Sequence, residues 1–356
     1  MTAVTRESLG PFVIEILRAM GLPEEEAEIF GGALLFSELR FHPGHGQGVK
    51  KLRRYGDRFA RGLMDPAAPW EVVKESPALA LVDAHNGIGT VAATRAMRLA
   101  VEKAKVCGVG QVVVGNSTHF GSSAVHACVA ADAGCIGIAL TNAGPEMAPW
   151  GAREGAVGTN PWGIAAPTGL GFPAVLDIAL TTAGKGMMTW HAAEGLPMPK
   201  DWALTPEGEE TDDPTAAMAG ALLGIGQYKG YGLAFMTDVL TGVLSGSGYG
   251  LTPYSVEGKM DVSHTLIALD IEWFMPLEEF QRRMDDFSAM CKSRALRPGF
   301  DEILIPGEQE ARRVATKSEV GIPLENPALA DLQALGAELG IQASLDVVGP
   351  WENDSL

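Results

Sequence analysis

Apolar residues recur at helical spacing from Thr5 to Met20, at Leu9, Phe12, Ile16 and Met20, and Gly21 ends the run. Pro23 followed by Glu24, Glu25 and Glu26 marks a second helix start, with proline in the first turn and acids against the helix dipole. That helix is expected to run to about Leu39, and a basic third helix to cover Val49 to Phe59. The stretch between them, Arg40 to Gly48, is rich in glycine and histidine and reads as a loop.

From Ala78 the pattern changes. Leu79 to Val82, Val112 to Val114 and Ile136 to Leu140 read as strands, separated by helices over Val91 to Lys105 and Ser122 to Ala133. This alternation predicts an α/β domain. Val157 to Pro167 and Ala174 to Leu180 add strands. Residues 192–215, polar and holding four prolines, read as an excursion. Leu233 to Leu244 predicts an apolar helix buried on most faces. Thr265 to Ile271 follows as a strand, Pro276 to Lys292 as an amphipathic helix and Ala328 to Leu339 as a last helix. No internal repeat or low-complexity tract interrupts the chain.

With 356 residues, 46% of them hydrophobic, the chain can bury a large core divided into two or three lobes. A net charge of −17 repels phosphate backbones and anionic bilayers, so neither nucleic acid nor membrane is expected as a partner. Met1 to Glu7 is polar and lacks a charged-then-apolar leader pattern, and the apolar runs fall short of the ~18 residues that span a bilayer. Cys107, Cys128, Cys135 and Cys291 form no Cys-x-x-Cys pair and read as free thiols of a reducing compartment. A cytoplasmic location is expected.

Candidate chemistry falls in six places. The loop Arg40 to Gly48 offers His42 and His45 for proton exchange near neutral pH, or as helix-capping surface residues. No carboxylate or thiol adjoins them, so no metal is expected. Asn116-Ser117-Thr118-His119-Phe120-Gly121-Ser122 follows a strand and opens a helix, where open α/β sheets bind ligands and helix N–H groups bind anions. His119 there can exchange a proton with a carbinol oxygen, whereas His126, two turns on, is expected to pack. Gly87-Ile88-Gly89-Thr90-Val91-Ala92 matches a short dinucleotide fingerprint but lacks the acidic residue about 20 positions on, so it reads as a tight turn. Lys229, among the glycines of Gly226 to Gly232, suits a phosphate or carboxylate, and the carboxylate in Ile305 to Gln309 suits ribose hydroxyls. Asp177 lies in an apolar strand and must be paired, either as a structural cap or as an orienting partner for a histidine.

In order and spacing, Asn116 to Gly121, Gly158-Thr159-Asn160-Pro161, Val175 to Thr181, Tyr228 to Gly246, and Pro306-Gly307 with Gly321-Ile322-Pro323 resemble the malate/L-lactate dehydrogenase family of the second type. Its relatives include ureidoglycolate and sulfolactate dehydrogenases, diketogulonate reductase and a cyclic-imine reductase. The resemblance runs from about residue 5 to about residue 340. It implies an α/β, non-Rossmann nicotinamide-binding fold with an N-terminal helical lobe, and a homodimer with its site near the subunit interface. It further implies a lobe over 1–75 joined by C-terminal helices in 310–356, around a cofactor- and substrate-binding domain over 76–309. The activity implied is NAD- or NADP-dependent interconversion of a small 2-hydroxy acid and its 2-keto acid, with His119 or His45 as acid/base. The cofactor stretches carry over to Val175, Leu176, Asp177, Ile178, Ala179, Leu180 and Thr181, to Lys229 with Gly230, and to Gly307, Glu308 and Gln309. Lys51, His42, Asn142 and Thr159 carry over as substrate contacts.

Three positions depart from the family pattern. Gly44 replaces the serine of Ser-His-Gly, Gln47-Gly48 looks like an insertion, and Lys51 or Lys50 stands where an arginine is usual. Thr141 to Gly144 lacks the Ser or Asp that many relatives carry. A cyclic 2-imino acid reductase and a catalytically inactive metabolite-binding protein on the same scaffold are therefore alternative readings.

Overall fold

A computed structural model describes residues 1–41 and 48–351. His42 and His45 thus lie outside the described residues. The chain opens with a short strand, β1 (Thr2–Val4), then α1 (Arg6–Ala19), α2 (Glu24–Arg40) and α3 (Leu52–Ala60). The two long helices are where periodicity places them, and Thr5 caps α1 by accepting from Ser8 N–H.

Next come β2 (Glu71–Glu75), β3 (Leu79–Asp83), α4 (Gly89–Cys107), β4 (Val109–Ser117), α5 (Ser123–Asp132) and β5 (Cys135–Thr141). They are followed by β6 (Trp162–Ala166), β7 (Ala174–Ile178), α6 (Lys185–Glu194), α7 (Pro214–Ala219) and α8 (Tyr228–Asp238). The chain closes with β8 (Val262–Asp270), α9 (Leu277–Lys292), α10 (Glu308–Val320), β9 (Ile322–Leu324), α11 (Asn326–Glu338) and β10 (Val347–Pro350).

Seven strands form one sheet in the order β2-β3-β4-β8-β5-β6-β7. Only β3 and β4 pair in parallel; every other neighbour is antiparallel. β8 arrives late in the chain and slots between β4 and β5, antiparallel to both. The strand–helix alternation expected from sequence is therefore present, but it does not produce a doubly wound parallel sheet. α4 and α5 lie on one face through small residues such as Ala96, Ala100, Ala124 and Ala127.

β1 sits between β9 and β10 in a second, three-stranded sheet, so the two ends of the chain are paired. A shared core joins Leu9, Phe12 and Ile16 of α1 and Phe30 of α2 to Ile322, Leu332 and Leu335 near the C-terminus. The excursion over 192–215 has a small core of its own around Met188, Met198, Ala203 and Leu222. The four cysteines are unpaired. No helix among the described residues is long and apolar enough to cross a membrane.

One element departs from expectation. The apolar helix Leu233 to Leu244 is α8 with a wider π-type turn over Val239–Val243, and it is not buried on most faces. Ala234, Thr237, Asp238 and Thr241 face the sheet, while Phe235, Met236, Val243 and Leu244 are 50%, 50%, 50% and 54% exposed. Apolar residues on every side are the sequence signature of a buried helix, and equally of one whose second face is an interface.

Candidate active site

The carboxyl ends of β4 and β5 lie on either side of the start of β8, with Ser117 opposite Val262 and Thr141 opposite His264. His119 leaves β4 here, half-buried. Gly121 donates its N–H to Nδ1 at 3.1 Å, so a neutral ring carries its proton on Nε2. The preceding residue is locked. Thr118 Oγ1 donates to the Gly87 carbonyl (2.8 Å) and accepts from Gly89 N–H (2.9 Å). A Cβ at Gly89 would overlap the Thr118 carbonyl, which fixes glycine there. Gly87 to Ala92 is thus a turn that braces the histidine loop, and its helix N-terminus is already engaged by Thr118.

Two further histidines lie beneath, both fully buried. His126 packs as expected; its Nε2 faces the Phe120 carbonyl at 2.9 Å, and burial pushes its pKa down to about 4. His264 was not expected. Thr141 Oγ1 donates to the Ser263 carbonyl (3.0 Å) and accepts from His264 Nδ1 (2.7 Å), so Ser117 Oγ donates to Nε2 (2.9 Å). Burial, then the nearby His126 and His119 rings, hold His264 neutral. It thereby ties the ends of β4 and β5 together. A lone histidine in an otherwise ordinary strand carries no sequence signal for that role.

A cavity of about 400 Å³ opens between β7, the start of α5 and the start of α10. Val175, Leu176, Asp177, Gly307 and Gln309 line it, which brings two of the sequence-predicted stretches together. Val175 N–H donates to the Pro306 carbonyl at 3.0 Å. Gly307 adopts φ +87°, and a Cβ there would stand 2.9 Å from the Val175 nitrogen, so only glycine allows the approach. Asp177 Oδ2 accepts from Ser122 Oγ (2.6 Å) and Ala124 N–H (3.0 Å), capping α5 from the neighbouring strand. Of the two roles the sequence left open, capping is the one these contacts display. Glu308 is engaged by Lys292 Nζ (2.6 Å), Arg312 (2.7 Å) and Ile305 N–H (3.2 Å). Its carboxylate is therefore held within the protein by three partners.

The chain beyond β7 leads to the other predicted stretch. Leu180 N–H donates to the Thr159 carbonyl, and Ile225 N–H donates to the Leu180 carbonyl, each at 2.8 Å. A Cβ at Gly230 would press on both Leu180 and Ile225. Lys229 is exposed in the first turn of α8. Val175 to Thr181 thus runs from the cavity to the α8 start, about 20 Å at ~3.3 Å per residue.

Lys51 is half-buried in the turn before α3. Burial and the charges of Arg54, Arg58 and Lys50 push its ammonium down to about 8. Asn142 is bonded within the protein. It is buried, its Nδ2 donates to Asp238 Oδ1 (3.1 Å) and the Gly248 carbonyl (2.7 Å), and its Oδ1 accepts from Ser263 N–H (2.8 Å). Both amide protons are thus used within the protein, and Oδ1 keeps one lone pair. Thr159 is half-buried beside Asn160, whose amide bridges Ala143 N–H and the Ala234 carbonyl.

Sequence reasoning also missed the anchor of the segment between α2 and α3. Lys317 of α10 is 2% exposed, and its Nζ donates to the carbonyls of Glu38 (2.7 Å) and Phe41 (2.9 Å). Glu38 Oε1 in turn accepts from Val49 N–H at 2.7 Å. Both flanks of residues 42–47 are thereby tied to one point. The partners lie 279 positions apart, a separation no local motif reveals.

A family profile described as malate/L-lactate dehydrogenase matches residues 4–333. Malate dehydrogenase of Pyrococcus abyssi is 35% identical over 348 residues, covering 95% of each chain. A (2R)-3-sulfolactate dehydrogenase (NADP(+)) of Chromohalobacter salexigens is 32% identical over 320 residues, covering 88% of this chain and 91% of that one. Among solved structures, malate dehydrogenase from Entamoeba histolytica superposes with a TM-score of 0.92 at 28% identity, covering 96% of this chain and 99% of that one.

Proposed function

Because the chain belongs to the malate/L-lactate dehydrogenase family, we propose that it is a cytoplasmic, homodimeric oxidoreductase that interconverts a small 2-hydroxy acid and its 2-keto acid with NAD or NADP. The observation that carries the chemistry is His119. It stands at the carboxyl end of β4, beside that of β5, with Nδ1 accepting from the Gly121 N–H, so that the neutral ring carries on Nε2 the proton to be exchanged.

The residues suit a nicotinamide dinucleotide. The cavity has the volume of a cofactor site, and the close approach of Gly307 to Val175 brings two of the cofactor stretches together in its wall. Val175 to Asp177, Gly307 and Gln309 would hold one end, and Thr181, Lys229 and Gly230 the other. When bound, the nicotinamide supplies or accepts hydride at substrate C2. The protein's part is positional and acid–base. His119 Nε2 hands a proton to the carbonyl oxygen in the reductive direction and recovers it in the oxidative one. Lys51 holds the substrate carboxylate as a point charge, where the family's arginine would grip it bidentately. A screen of NADH and NADPH oxidation against 2-keto acids and one cyclic 2-imino acid tests the reading. Absence of binding and turnover with either cofactor would overturn it.

Lys51 gives the reaction a pH limit. It must be protonated to hold a carboxylate and loses its proton as pH rises through about 8. We expect kcat/KM for the keto acid to fall through that range while kcat at saturation holds. Lys51→Met should lower kcat/KM by ~10–100-fold, mostly in KM, and abolish this alkaline limb. A limb that persists in the variant assigns the titration elsewhere.

The exposed side of α8 supports the dimer. Leu233, Phe235, Met236, Leu240, Val243 and Leu244 form an apolar run too large for a solitary surface helix. Phe235→Glu combined with Val243→Glu should convert a dimer into a monomer in sedimentation equilibrium. A wild-type protein that is monomeric at micromolar concentration removes this reading.

A further inference from the structure

The last residue of α2 is a buried cation without a counter-ion among the described residues. Arg40 is 7% exposed, and its Nε is buried with no hydrogen-bond partner. Among the described residues no carboxylate forms a salt bridge with its guanidinium, and its one contact of that kind is with the Phe36 ring, at 5.0 Å from the centroid. A cation–π contact does not replace the hydration that Nε gives up, and among the described residues no carboxylate balances the charge. Such a group is retained where an anion arrives to meet it.

The position indicates which anion. Arg40 lines the cavity of about 400 Å³, opposite Val175 and Gly307. The N-terminus of α10 opens beside it, at Gly307 and Glu308, and adds a positive dipole end, with the Glu308 N–H itself donating to the Ile305 carbonyl at 3.1 Å. The two carboxylates of this wall are already occupied. Asp177 caps α5, and Glu310 lies 3.7 Å from Arg313. A small keto acid alone would leave most of the volume empty, and the proton-carrying His119 is not part of the cavity wall.

We propose that Arg40 binds a phosphate of the dinucleotide pyrophosphate through its planar fork of donors. This rests on the reading of the cavity as the cofactor site and adds an anion anchor on α2 that the cofactor stretches do not contain. The consequence is a trade between apo stability and affinity. Arg40 burdens the empty protein and is relieved when a diphosphate enters.

Calorimetric titration of NADH, NADPH, ADP-ribose and adenosine into wild type, Arg40→Leu and Arg40→Lys, with thermal melts of each free protein, tests the assignment. Arg40→Leu should weaken ADP-ribose and the bound dinucleotide on the order of 10²-fold, leave adenosine unchanged and not lower the melting temperature of the free protein. Arg40→Lys should fall between, since it keeps charge without the fork. Inorganic pyrophosphate should raise the melting temperature of wild type and not that of Arg40→Leu. ADP-ribose affinity equal in all three proteins overturns the assignment, and so does an equal loss for adenosine, which marks a structural role. If Arg40→Leu does not fold, Arg40→Lys and wild-type salt dependence decide: ADP-ribose binding must weaken with added salt, and adenosine binding must not. Wild type that binds neither NADH nor NADPH overturns the cofactor reading itself, a result distinct from failure of Arg40 alone.

Discussion

His119→Gln should lower kcat for keto-acid reduction by ~10²–10⁴-fold while leaving dinucleotide affinity unchanged. Glutamine keeps much of the size and a donor near the position of Nε2, so the backbone around Gly121 and the brace through Thr118 have no reason to move. What it cannot do is release a proton to the substrate oxygen. Stopped-flow measurement of the first turnover separates this from a slow release step. The matched variant His45→Gln is the control, because the family resemblance admits that histidine too. A collapse in His45→Gln with a His119→Gln enzyme within a few-fold of wild type would transfer the proton role and leave His119 as a packing residue.

Lys317→Met should destabilise the protein by ~3 kcal/mol, read as a lower denaturation midpoint with an unchanged m-value. Methionine fills a similar volume but removes the hydrogen bonds that Lys317 donates to the carbonyls of Glu38 and Phe41 at the end of α2, each at a cost of ~1–3 kcal/mol. Part of that loss is offset, because burial pushes the Lys317 ammonium down to about 8, below its ordinary value of about 10.4. The sign follows from proton uptake. Between those two values the unfolded chain binds more protons than the folded one, so wild-type stability rises with pH across the window. The Met variant should lose that rise. A variant as stable as wild type, with the same pH slope, would show that the two carbonyls find other donors. Since the flanks at Phe41 and Val49 share this anchor, kcat/KM should fall with stability.

The helices of the first 60 residues are legible because their periodicity, proline and glycine punctuation and acid placement agree. The sheet is legible strand by strand but not in its order. Nothing local in Val262–Asp270 tells that it pairs with β4 and β5 in place of following β7. β1, β9 and β10 are too short to show a period of two, and β2, with its charged ends, gives no buried face to detect. At the candidate site, His119 stood out because a strand-to-helix turn needs no imidazole. Asn142 entered through the family resemblance and Glu308 through its carboxylate; the structure bonds Asn142 to Asp238, 96 positions on, and Glu308 to Lys292, 16 positions back, contacts that neither residue type announces. Arg40 is the converse. It sits next to a conspicuous histidine-bearing stretch of sequence and reads as an ordinary helix-terminal base until its burial is seen, with Nε unbonded and no carboxylate partner among the described residues.

The late strand at the centre of the sheet has a consequence for assembly. Until β8 is made, β4 and β5 have complementary edges and nothing between them to bond, and each is an open template for the wrong neighbour. The pairings that close this gap join residues more than 120 positions apart, which places a slow search late in folding. His264, which ties Ser117 to Thr141, arrives on that same strand. The two halves of the site are therefore held in mutual register only after the last central strand docks, and a chain arrested before it is a pair of adhesive edges instead of a catalyst.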